Sequence, residues 1–346
     1  MIVALQTVIL LTLLAILIGG LVSWSLLLRS LIRAKKASNA TFRCWLDSLV
    51  PFQKRDRPFW SPADFLMAFG LRIITPLLLI SLFQTVGWMA AGTINPSDSA
   101  DSPVQIENQV PISGQDASQK PALAPSTEDA VKDPESIETA GLADTALKNT
   151  CVQIGAMLMT IALIIGWLTI LKRDAAQRLG LQANPNDWLL SLKGIAVILP
   201  AVMLSSSIAS YWVDYEHPVL KTLLSQGTPV FWTVTFFATG LLTPVLEEIL
   251  FRGLLQGSLQ GMADRKVDDT AASTGKWRPS AYWPLFVTSF IFAIMHFPNQ
   301  GAAPIPIFVL SLGLGYLYRQ TGSLFAPIAI HIVLNSLTLL NALANA

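Results

Sequence analysis

The chain has 346 residues, of which 52% are hydrophobic and 13% charged, and its formal net charge is +1. Soluble domains carry about 25% charged residues, so this balance excludes an ordinary water-soluble globule. A charge near zero, with no zinc-finger, helix-turn-helix or phosphate-loop pattern, also argues against a nucleic-acid partner.

The apolar residues gather in runs close to the roughly 20 residues with which a helix crosses a bilayer. Eight spans are expected, at 3–29, 63–92, 150–171, 188–212, 229–261, 281–297, 304–319 and 323–343. The first run, Ile2 to Leu28, is longer than the h-region of a secretory signal, and its positive charges follow it at Arg29, Arg33, Lys35 and Lys36. It reads as a retained span with its N-terminus outside. The loop after it adds Arg43, Lys54, Arg55 and Arg57 against Asp47 and Asp56, and is expected on the cytoplasmic side.

Residues 93–149 are acidic and rich in Pro, Ser, Ala and Asp. Such a segment buries too little apolar surface to offset its entropy and is expected to be a disordered outer linker. Lys172, Arg173 and Arg178 return the chain to the cytoplasm, Asp214 and Glu216 lie outside, and Arg265, Lys266, Lys276, Arg278 and Arg319 lie inside. An even number of spans then leaves both termini on the non-cytoplasmic side. The fifth run is too long for one straight crossing and contains Pro244, which tends to kink a helix.

The expected fold is therefore an all-α polytopic transmembrane helix bundle in three parts: a two-helix unit with a basic loop at 1–92, the linker at 93–149, and a six-helix unit at 150–346. The cysteines, Cys44 and Cys151, read as unpaired thiols.

Ionisable residues at membrane depth cost about 2.5–3.5 kcal/mol on insertion scales, so those that occur point to function. The fifth run carries Glu247, Glu248 and Arg252, the sixth His296, and the eighth His331 and Asn335. Glu248 and Arg252 stand at i and i+4, with the acid on the favoured N-terminal side. Glu247 points about 100° away from Glu248 and is left to face a cavity. Phe292 shares a face with His296, and His331 with Asn335. From the cytoplasmic ends of their runs, Glu247 and His296 lie at about 21 and 22 Å, and His331 and Asn335 at about 12 and 18 Å, so the groups can meet at one level. Gly253, Gly257 and Gly261 form a small-residue face for close packing. A Glu–Arg pair or one membrane histidine also has purely structural uses, and two glutamates also suit a cation site in a transporter.

Three motifs, Glu247-Glu248-Ile249-Leu250-Phe251-Arg252, Phe292-Ala293-Ile294-Met295-His296 and His331-Ile332-Val333-Leu334-Asn335, resemble in order and spacing those of the CAAX-protease and bacteriocin-processing family, which includes the type II CAAX prenyl endopeptidases. The stretch from Gly313 to Leu324 is similar to the segment this family places before its last histidine. The resemblance covers about residues 180–343 and leaves 1–149 without a counterpart.

It implies an intramembrane endopeptidase in which Glu247, assisted by His296, activates water. His331 and Asn335 would stabilise the oxyanion, while Glu248, Arg252 and Phe292 support the site. The implied partners are the lipid bilayer and a membrane-associated or lipidated protein substrate. The family is often labelled a metalloprotease, and Glu247, His296 and His331 would supply three ligands to a single Zn2+. The chain has no H-E-x-x-H, and the same residues also act without a metal. A non-catalytic scaffold or bacteriocin-immunity protein has no use for the four polar residues together. A small transporter would show symmetric halves, which are absent from the sequence.

Overall fold

The structure, a computed structural model, describes residues 2–38, 41–53, 55–89, 134–212, 223, 228–264, 277–297 and 304–345. The regular elements among them are helices, with one isolated antiparallel bridge between Arg55 and Trp277. In chain order they are α1 (Ile2–Ser38), α2 (Phe42–Leu49), α3 (Pro62–Thr85), α4 (Pro134–Leu171), α5 (Ala175–Leu179), α6 (Asp187–Ala209), α7 (Pro229–Ala263), α8 (Trp283–Ile294), α9 (Pro304–Thr321) and α10 (Phe325–Ala344). Among the described residues, α1, α3, α4, α6, α7 and α10 hold spans long and apolar enough to cross a membrane. The helix α8 is apolar but has 12 residues, and α9 has 18 and ends in the buried Arg319, Gln320 and Thr321.

Local chemistry accounts for the helix starts. Pro229 occupies the first turn of α7, where its missing N–H is no loss, and the Thr228 hydroxyl accepts from Phe231 N–H at 3.2 Å. At the head of α3 the Asp64 carboxylate accepts from Ser61 N–H at 2.8 Å. The outer faces stay apolar: Ile170 is 81% exposed and Leu10 65%. Such surface is a liability in water and is matched by lipid tails in a bilayer.

Several expectations meet a different structure. The third span lies in a helix that begins at Pro134, so the last part of the expected linker is helical, while 93–133 falls outside the described residues. The loop residues Asp214, Glu216, Arg265, Lys266 and Lys276 also fall outside them. The first two spans find their partners among the later helices. Trp24 of α1 donates its indole N–H to Val197 O of α6 at 3.0 Å, Gln6 donates to Ala344 O of α10 at 2.7 Å, and Thr75 of α3 pairs with Thr160 of α4 at 2.8 Å. Helix α7 runs on through Pro244, with π-helical stretches at Phe236–Leu242 and Ile249–Gln256 on either side of it. A wider π turn accommodates the backbone around a proline that an α ladder would not. Cys44 and Cys151 are both free and exposed.

The basic ends of the helices are tied together by the segment between α2 and α3. Trp60 donates to Gly253 O at 3.0 Å, Arg57 to Gly261 O at 2.6 Å, and Arg55 to Tyr318 O at 2.8 Å. The glycine face of α7 is thus where this segment sits: a Cβ on Gly257 would come within 3.1 Å of Trp60 Nε1. At Gly180, φ is +90° and a Cβ would lie 2.0 Å from Gly322 O, so only glycine fits where the loop after α5 meets the turn before α10.

Asp47 of α2 is the polar hub of the same end. It accepts from Tyr282 Oη at 2.7 Å, Arg319 Nη1 at 2.8 Å and Gln320 Nε2 at 3.3 Å. Burial raises its pKa, but the hydrogen bonds from Tyr282 and Arg319 and the Arg319 charge outweigh that and hold it below the ordinary carboxylate value. A carboxyl depressed on folding contributes stability above its unfolded pKa, about 3.9, and loses it as pH falls through the folded value. The melting temperature of wild type is therefore expected to exceed that of Asp47→Asn at neutral pH. The gap should close only below about pH 4; a gap that closed between pH 7 and 5 would contradict this account.

Candidate active site

The polar residues singled out from the sequence come from three helices. Glu247 and Glu248 end the short α-helical stretch Thr243–Glu248, between the two π-helical stretches of α7. Such interruptions re-aim side chains and recur at functional sites. Glu248 and Arg252 are fully buried, while the Glu247 side chain keeps 22% of its surface exposed. Adjacent on the chain, the two glutamates face different surroundings: Glu248 the packed interior, Glu247 an accessible space.

His296, inside the expected span 281–297, lies in a turn just past the end of α8 at Ile294. Its Nδ1 is 2.7 Å from Phe292 O. A carbonyl can only accept, so Nδ1 carries the proton, and in the neutral ring Nε2 is left with a lone pair. That Nε2 faces Glu247 Oε1 at 3.9 Å. His331 of α10 is 4% exposed and stands between the two glutamates, its Nδ1 3.0 Å from Glu248 Oε1 and its Nε2 3.7 Å from Glu247 Oε2. Both imidazoles are thus oriented from behind, with Nε2 turned to Glu247. Separations of 3.7 and 3.9 Å are too long for direct hydrogen bonds and suit a shared water.

Phe292 is the wall between these groups. It is 1% exposed, its ring centroid lies 4.8 Å from that of His296 and 6.1 Å from that of His331, and the Arg252 guanidinium sits 4.9 Å from it. Arg252 Nε approaches Glu248 Oε2 to 3.2 Å, yet no guanidinium N–H makes a well-aligned hydrogen bond. The pair is held by charge in a dry setting and by the aromatic face.

Asn335, four residues after His331 on α10, has a partner of its own. One N–H of its side-chain amide donates to Thr239 O, in the first π-helical stretch, at 3.0 Å. A π turn leaves carbonyls without their usual partners, and Asn335 satisfies one of them. The second N–H of the amide remains as a donor.

Two relations escaped sequence reasoning. The contact of Glu248 with His331 escaped because Arg252 on the same helix already accounted for that charge. The bond of Asn335 to Thr239 depends on π-helical stretches that no residue pattern announces.

A metal held by Glu247, His296 and His331 has the right donor types, and both Nε2 atoms are presented. The placement does not fit. The imidazoles approach different oxygens of Glu247 rather than a common point, and no cluster of three or more His, Cys, Asp or Glu that could hold an ion forms among the described residues.

No curated protein and no solved structure matches the chain. A family model does, described as type II CAAX prenyl endopeptidase Rce1-like, over residues 229–337. The match starts at the head of α7 and runs into α10, and it contains all the residues described above. Over residues 229–337 this multi-pass integral membrane protein is therefore similar to the type II CAAX prenyl endopeptidase Rce1-like family, a family of CAAX-type intramembrane proteases.

Proposed function

We propose that the chain hydrolyses a peptide bond in a membrane-associated or lipidated protein, with Glu247 and His296 activating the water. The observation that carries this reading is the Glu247 carboxylate set between two Nε2 atoms at 3.7 and 3.9 Å, each ring fixed from its far side. A water donating to Glu247 and to His296 Nε2 is polarised by both acceptors. Glu247 takes one proton as the water oxygen bonds to the scissile carbonyl carbon, and the carbonyl electron pair moves onto its oxygen.

The resulting oxyanion is met by the free N–H of Asn335, and by His331 Nε2 when that nitrogen carries a proton. One preorganised donor of this kind is worth about 10²–10³ in kcat. Collapse of the intermediate breaks the C–N bond, and the proton held by Glu247 passes to the leaving amine. Arg252 cancels the charge of Glu248, so Glu248 orients His331 without competing as a base. Both termini face the non-cytoplasmic side in this reading, because the basic residues of the segments after α1 and α4 and before α8 belong to the cytoplasm.

The test is cleavage of membrane-anchored and prenylated peptides by the purified chain in detergent. Wild type should cut and Glu247→Ala should not, and a chelator should leave the rate unchanged. Cleavage that survived in Glu247→Ala would remove Glu247 from the mechanism. Loss with chelator, restored by Zn2+, would establish a metal enzyme.

A further inference from the structure

A second site lies at the basic end of the bundle, away from Glu247. A cavity of about 480 Å³ opens between α2 and the segment 277–282, lined by Arg43, Asp47, Ser48, Arg278, Ser280 and Arg319 among others. Three arginines face one aspartate there. Asp47 is already matched by Arg319, whose remaining N–H groups donate to Ala281 O at 3.2 Å, Pro279 O at 3.0 Å and Ser280 O at 3.2 Å. This neutral pair forms the floor.

The rim is cationic. Arg43 gives one bond to Ser280 O and lies 5.7 Å from the Tyr282 ring, and Arg278 lies 5.1 Å from the Phe52 ring. Both are exposed, and neither pairs with a carboxylate among the described residues. Two guanidinium forks lining one cavity bring it N–H donors and unbalanced positive charge, which suits a tetrahedral oxyanion.

The surroundings say where that anion comes from. Helix α2 is held to α1 by Trp45 Nε1 donating to Ser30 Oγ at 2.9 Å. Around Ser30, Leu28 and Ile32 are 58% and 57% exposed, and Phe42 at the start of α2 is 60% exposed. An apolar surface beside a cationic pocket, at the end of a membrane span, matches acyl chains beneath a charged headgroup. We propose that this pocket binds the phosphate of an anionic phospholipid, independently of the proteolytic site.

The test measures how spin-labelled phosphatidylglycerol and phosphatidylcholine partition onto the full chain in phosphatidylcholine nanodiscs. Wild type should prefer phosphatidylglycerol, and Arg43→Gln with Arg278→Gln should lower that preference about fivefold per arginine. Arg278→Gln alone removes only a ring contact and should give the single step with an unchanged melting temperature. Lys35→Gln with Lys36→Gln, on the exposed end of α1, should leave the preference intact. Wild-type preference in the arginine variants would overturn the proposal, as would an equal loss in the lysine variant, which would mean bulk surface charge. Displacement of phosphatidylglycerol by millimolar inorganic phosphate would make this a soluble-anion site and overturn the lipid assignment.

Discussion

Replacing Glu247 by Gln is expected to lower kcat for peptide cleavage by about 10²–10⁴-fold, the usual contribution of a general base, while leaving the melting temperature near that of wild type. The two halves of this expectation have separate causes. Gln keeps the shape of Glu but cannot take a proton from water. The stability half follows from the contacts: Glu247 is partly exposed, and its nearest polar neighbours, His331 and His296, stand at 3.7 and 3.9 Å, beyond direct hydrogen bonding. Little native structure depends on its charge. Turnover and thermal unfolding measured on one preparation decide the matter. A variant that lost several degrees along with its activity would make Glu247 a packing residue.

Replacing Arg252 by Leu should do the reverse and cost about 3–5 kcal/mol of stability, because it leaves the Glu248 carboxylate buried beside His331 without its counter-charge. Both side chains of the Arg252–Glu248 pair are fully buried. The guanidinium also loses its place over the Phe292 ring, so the wall that carries His296 should loosen and activity should fall with stability. Glu248→Gln with Arg252→Leu removes both charges and is expected to be less destabilised than Arg252→Leu alone. Equal loss in the two variants would mean that packing of the arginine stem, rather than the uncompensated acid, sets the cost. An Arg252→Leu protein as stable as wild type but inactive would refute the structural role of the pair.

Much of this was legible in residues. Apolar run length and the positions of charge depend on one segment at a time, which is why each of the eight runs corresponds to a helix. The short set of intramembrane polar groups could also be read directly, since a charge in hydrocarbon is costly wherever it lies. Spacing along α7 separated the surroundings of Glu247 and Glu248, because adjacent helical residues face different directions.

Other features belong to the tertiary structure alone. That α1 and α3 pack among the later helices, that His296 lies in a turn beyond α8, and that His331 stands between two carboxylates are outcomes of long-range packing, to which a periodic pattern is blind. The π-helical stretches around Pro244 belong here too, together with the bond from one N–H of Asn335 to Thr239 O. A helix widens where its backbone and its neighbours jointly require it, and the neighbours are known only once the bundle is assembled. By itself the sequence determined a helical membrane protein and the side chains available for chemistry. Their distances, their orienting partners and the pocket of arginines at the basic end were decided by the packing of helices far apart in the chain.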